Sequence, residues 1–137
     1  MIRVALRYLL ALFYAYAGYR HLVGPEPFLT ITPGWVPFPE AVVFWTGIAE
    51  IAGAITLAQP LSRRLLQAGA IGLALYALCV WPANVNHMLM DMAREDGGWG
   101  MAYHVPRMIA QPLIIWLALW TGLVIDWPFG KRGAQPK

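Results

Sequence analysis

The chain has 137 residues, of which 59% are hydrophobic and 12% charged, with a formal net charge of +3. Soluble proteins carry about 25% charged residues, and a soluble core of this size has no room for so much apolar surface. The composition therefore excludes an ordinary soluble enzyme. The basic residues sit in scattered pairs at the ends of apolar runs, which excludes a nucleic-acid patch and reads as a membrane topology signal.

The first apolar run, residues 2–23, starts with Arg3 and Arg7 before Leu-rich sequence, and Ala15-Tyr16-Ala17 mimics a leader cleavage site. It reaches spanning length and no soluble domain follows, so it reads as a retained helix. Residues 24–40 hold five of the eleven prolines: Pro25, Pro27, Pro33, Pro37 and Pro39. That density predicts no regular helix. Phe28, Trp35 and Phe38 are interleaved with the prolines, which suits a segment at the membrane interface that covers the bundle like a lid.

The second run, 41–58, is interrupted only by Glu50, and a short turn through Gln59, Pro60 and Arg63-Arg64 follows. The third run, from 65, predicts a helix to about 92. Residues 91–100 are the most polar stretch and read as a solvated loop carrying Arg94, Glu95 and Asp96. The fourth helix is expected over 106–126, with Pro106 in its first turn. Residues 127–137 form a tail, its end (131–137) without order.

Each run has about 18–22 residues, or roughly 30 Å of helix, which matches the hydrocarbon core. Lipid offers no backbone partners, so the runs must be helices. The expected fold is all-α: a single integral membrane domain built as a four-transmembrane-helix bundle. Arg3, Arg7, Arg63, Arg64, Lys131, Arg132 and Lys137 fall on one side of that bundle, and only Arg20, Arg94 and Arg107 on the other. The imbalance puts both termini in the cytoplasm and the Pro-rich loop outward.

Polar residues within the spans carry the information about function. A charged group at the bilayer centre costs about 2.5–3.5 kcal/mol. Glu50 is deep in the second helix and too short to snorkel, so it either pairs with a cation or carries a proton. Gly47, Glu50 and Ala54 share a helical face with Gly53 beside them, and such small residues admit a close neighbour. Arg20 and His21 close the first helix, with Tyr14, Ala17 and Gly18 on the face of His21. Asn84, Asn86 and His87 close the third, while His104, Arg107 and Gln111 open the fourth. Pro82 and Pro112 free one carbonyl each within these helices. Two readings remain open: a polar ligand site at one level of the bundle, or interfacial histidines with a Glu50–Arg107 clasp between helices. The lone Cys79 allows no disulfide or cysteine zinc site within one chain, and no metal ligands are assigned.

At these residues the sequence resembles the DoxX family of small four-helix membrane proteins. The likeness runs from Arg7 to about Trp120. It rests on Ala17-Gly18-Tyr19-Arg20-His21, Pro27-Phe28, Thr32-Pro33-Gly34-Trp35-Val36-Pro37, Gly47-Ile48-Ala49-Glu50-Ile51-Ala52-Gly53-Ala54, Trp81-Pro82-Ala83-Asn84-Val85-Asn86 and Arg107-Met108-Ile109-Ala110-Gln111-Pro112-Leu113. The last segment is similar to the family's Arg-Leu-Pro-Leu-Gln pattern, but Ile109 stands at its Pro and Ala110 at its second Leu. The resemblance implies a multi-pass protein of the bacterial inner membrane, with His21, Glu50, Asn84, Arg107 and Gln111 as a polar ligand cluster. Arg20, Asn86, His87, His104, Trp45 and Trp81 are secondary candidates.

The family takes its name from a subunit of a thiosulfate–quinone oxidoreductase, so the leading expectation is a quinone-linked redox protein. Tyr14, Tyr19, Trp45 and Trp81 are candidates to line the quinone slot. The alternative is a non-enzymatic accessory protein that assembles a membrane redox complex or another partner. Haem between two histidines needs ligands on separate helices, which His21, His87 and His104 supply, but interfacial histidines are the simpler account. Gly69 and Gly72 are candidate contacts for a homo-oligomer.

Overall fold

The computed structural model describes residues 1–130. The basic residues Lys131, Arg132 and Lys137, and the tail expected at 131–137, lie outside that range. The elements are α1 (Ile2–Val23), α2 (Glu26–Ile31), α3 (Pro39–Ala58), α4 (Arg63–Met92) and α5 (Met101–Thr121). No strand occurs among the described residues. α1 and α4 each pack against both α3 and α5, which closes a four-helix ring, and the short α2 lies against α3 and α4.

Two of these helices, α3 and α4, are long and apolar enough to cross a membrane. α1 and α5 have 22 and 21 residues, but their mean hydropathy is diluted by Arg3, Arg7 and Arg20 in one and His104, Arg107 and Gln111 in the other. All four long helices leave apolar side chains facing outward, among them Leu12, Ile55, Leu75 and Leu113. A water-facing bundle sets polar residues there instead.

Proline shapes the connection between α1 and α3 differently from the expectation. A helix does form within 24–40: Pro25 caps α2 and Pro27 lies in its first turn, where the missing N–H has no helical partner to lose. Pro39 opens α3 in the same way, after Phe38 takes a left-handed conformation (φ 49°). α5 also departs from the expectation. It starts at Met101, after Gly100 turns the chain at φ 72°, and ends at Thr121. Pro106 therefore lies inside the helix and not in its first turn. The N-terminus of α4 is capped by the Ser62 hydroxyl, which accepts from the Leu65 N–H at 3.3 Å.

The packed core gathers Leu10, Ala11, Leu57, Leu66, Ala70, Leu73 and Ala118, in the half of the bundle nearest the chain termini. Arg3 closes that end by donating to the Trp120 carbonyl (2.7 Å), the Ile125 carbonyl (3.0 Å) and Asp126 (2.7 Å). α1 and α3 meet at two glycines: a Cβ on Gly18 would lie 2.6 Å from the Gly47 carbonyl oxygen. Gly69 faces Thr56 so closely that a Cβ would overlap its hydroxyl, so this glycine serves the α3–α4 contact inside the chain. Gly72 faces open space.

Candidate functional site

Above the packed core, the helices separate around a cavity of about 480 Å³. The wall combines Phe13, Ala17, Val80 and Ile114 from the bundle with Phe28, Pro33 and Trp35 from the Pro-rich connection. Typical ligand pockets span roughly 300–1,000 Å³ and combine apolar walls with a few convergent polar groups. Here the polar groups form two sets.

The first set is at the α1–α3 wall. Glu50 is 4% exposed, on the buried face that α3 builds from Val43, Gly47, Glu50, Ala54 and Leu57. His21 comes from α1. Its Nδ1 lies 3.1 Å from Thr46 Oγ1 and 3.3 Å from the Val43 carbonyl oxygen. The Thr46 hydroxyl already donates to that same carbonyl at 2.8 Å. Nδ1 therefore has only acceptors around it and carries the proton. Nε2 is left facing Glu50 Oε2 at 3.8 Å, too far for a direct hydrogen bond and near enough for one donor to bridge both. Glu50 Oε2 and the Tyr14 hydroxyl are buried without a hydrogen-bond partner, and Tyr76 places its hydroxyl against Glu50. Phe28 packs against the His21 ring at a tilt of 44°, with centroids 3.7 Å apart.

The second set joins α4 to α5. Arg107 donates to Asn84 Oδ1, lies 2.9 Å from His87 Nδ1 and stands over the Tyr103 ring at 5.0 Å. Asn84 Nδ2 donates to Gln111 Oε1 at 3.2 Å, and Gln111 Nε2 donates to the Ala77 carbonyl. That carbonyl is one residue before Leu78, whose own helical partner is removed by Pro82. Gln111 thus fastens α4 beside its weakest turn.

Of the expected cluster, His21, Glu50, Asn84, Arg107 and Gln111 all line this cavity. The Glu50–Arg107 clasp does not form: Glu50 faces His21, and Arg107 is engaged by Asn84 and His87. Tyr14 lines the cavity, but Tyr19 and Trp45 point outward, and Trp81 borders a separate shallow depression. Arg20 is exposed, with Tyr16 at 3.4 Å. Asn86 donates to the Ile31 carbonyl at 2.9 Å and ties α4 to α2. His87 and His104 converge on Asp91. His104 is fully buried.

Two residues escape a reading by polarity alone. Tyr76 sits in an apolar run, and its role shows only once α4 packs on α3 and brings its hydroxyl to Glu50. Asp91 falls in the stretch that reads as a loop, yet it is 5% exposed on the last turn of α4. The i, i+4 spacing from His87 was its one signal. Beyond it the loop is solvated: Arg94 pairs with Asp96 at 2.7 Å and holds that carboxyl well below the usual carboxylate range, assisted by the Gly98 N–H.

A four-helix ring around a mostly apolar cavity with two sets of polar groups is the setting for the comparisons with known proteins. Residues 10–122 match the family described as Domain of unknown function (DUF8561), and the chain belongs to that family. No curated protein and no solved structure matches it.

Proposed function

We propose that this chain is a four-span integral membrane protein of the bacterial inner membrane that binds a quinone-class ligand in the cavity between its helices. α1 and α5 join α3 and α4 as spans in this reading, because all four are of spanning length and carry apolar outward faces. Both termini lie in the cytoplasm, as the Lys and Arg distribution favours.

One observation carries the ligand reading: an apolar cavity of about 480 Å³ with unpartnered buried polar atoms, Tyr14 Oη and Glu50 Oε2, at one wall, and Arg107, Asn84 and Gln111 at the other. An unpaired buried polar group costs about 1–3 kcal/mol, and a ligand that pairs with it recovers that cost. A quinone presents two carbonyl oxygens on opposite sides of an apolar ring. Tyr14 is free to donate to one and the Arg107–Asn84 set to the other, while Glu50 and His21 are placed to exchange a proton with the reduced form. The wall residues Pro33, Trp35 and Pro82 also border the shallow outer depression, so only side chains separate the two. The DoxX-like motifs support the same reading. An accessory role in assembling a membrane complex is the second reading, favoured by the Arg107–Asn84–Gln111 set, whose hydrogen bonds are already made within the chain.

Native mass spectrometry of the detergent-purified protein tests the proposal. The expected result is a retained quinone, with Glu50→Gln lowering its occupancy at least ten-fold while the fold persists. Protein that retains no quinone and takes none up from supplemented detergent overturns it.

A further inference from the structure

We propose that His87, Asp91 and His104 form a three-ligand site for a divalent first-row transition metal of the zinc type, at the loop end of the bundle. It lies beyond the cavity and stands whether or not the cavity takes a quinone.

The geometry comes from two helices. His87 and Asp91 are one turn apart on the last turns of α4 and share a face, and His104 arrives from the first turn of α5. Their ligand atoms all lie within 4.8 Å of one another. Asp91 Oδ2 is 2.9 Å from His104 Nε2 and 3.7 Å from His87 Nε2. Zinc bonds of about 2.0–2.2 Å at tetrahedral angles place ligand atoms roughly 3.3–3.5 Å apart, so side-chain movements of about 1 Å bring all three onto one ion.

The surroundings are built for the carboxylate. The loop after α4 folds over Asp91, and the Trp99 N–H donates to Oδ2 at 2.9 Å. Gly98 adopts φ +55°, and a Cβ there would collide with the Asp91 carboxyl group. Only glycine allows the loop to close this tightly. His104 is fully buried and Asp91 nearly so. Neither neighbouring guanidinium pairs with Asp91: Arg107 is directed at His87 Nδ1, and the exposed Arg94 is paired with Asp96. A buried carboxylate facing two imidazoles thus has no guanidinium in direct contact, and a divalent ion supplies a full charge there. In the metal-free chain His104 Nε2 donates to Asp91 Oδ2 at 2.9 Å while Nδ1 has no hydrogen-bond partner, so a metal on Nε2 takes the place of that proton and Nδ1 is free to carry one.

The donor set of two imidazoles and one carboxylate suits zinc or cobalt and leaves a fourth position for water. Calcium and magnesium require six or more oxygen-type ligands and do not fit it. Metal on His87 Nε2 moves the ring proton to Nδ1, so Arg107 must leave that nitrogen while keeping Asn84. Metal loading therefore repositions a side chain of the cavity wall.

The test uses full-length protein purified without a histidine tag, stripped with chelator and titrated with Co²⁺ in detergent. The expected result is one Co²⁺ per chain with visible d–d absorption, displaced by Zn²⁺ and not by Mg²⁺ or Ca²⁺. Asp91→Asn keeps an acceptor for the Trp99 N–H and is expected to weaken Co²⁺ binding at least ten-fold. His87→Gln, at a half-buried position, is expected to do the same and carries the test if Asp91→Asn does not fold. No stoichiometric uptake by the parent, or parent-like binding by a folded variant, overturns the proposal.

Discussion

The two halves of the bundle are made from the same four helices but solve different problems. In the half near the termini, Leu10, Leu57, Leu66, Leu73 and Ala118 fill the space between helices, and the small residues Gly69 and Ala70 bring backbones together. In the other half, helix–helix contact is carried by hydrogen bonds between α4 and α5 and by one glycine crossing between α1 and α3. The first half is closed by packing. The second is held open at its centre by polar bonds at its margins, so stability and ligand space are kept apart along one helix axis.

The sharpest test of that division compares two apolar truncations. Leu57→Ala, in the packed half, is expected to lower stability in detergent by about 2–5 kcal/mol, the usual range for a buried leucine. Val80→Ala, on the cavity wall, is expected to cost no more than about 1 kcal/mol, because the side chain already borders open space. Equal losses in thermal or denaturant unfolding would break the comparison. Gln111→Ala comes next. It leaves the Asn84 amide without a partner and removes the second donor to the Ala77 carbonyl, and a loss of about 1–3 kcal/mol is expected by the same assay. The smallest effect is expected at Arg3→Ala, about 0.5–1.5 kcal/mol, since its bonds to Trp120, Ile125 and Asp126 lie at a partly exposed end.

Much of the arrangement was legible along the chain because it follows from spacing. The face shared by Gly47, Glu50 and Ala54 is set by helical periodicity, and all three residues are buried together. The convergence of His21, Asn84, Arg107 and Gln111 on the cavity also follows, since each sits near the same end of an antiparallel neighbour. Partner choice was not legible. Whether Arg107 meets Glu50 or Asn84 depends on helix rotation, and rotation is fixed by contacts such as Gly18–Gly47 that appear only when both helices are present. Proline misled in the connection after α1, because its density argues against a helix while its position at a first turn permits one. Aromatic residues misled too: Trp45 and Tyr19 have the size to line a slot but face outward.

The length of α4 has a consequence for where such a bundle can reside. Its 30 residues amount to about 45 Å of helix, against a hydrocarbon thickness of about 30 Å. The surplus turns carry His87 and Asp91 and are held upright by α5. If α4 crosses a membrane as proposed, a thicker bilayer immerses them by about one residue for each added 1.5 Å and draws the Asp91 carboxylate toward lipid. On that reading hydrophobic mismatch acts as a depth gauge: bilayer thickness sets how much of the α4 tip stays in water.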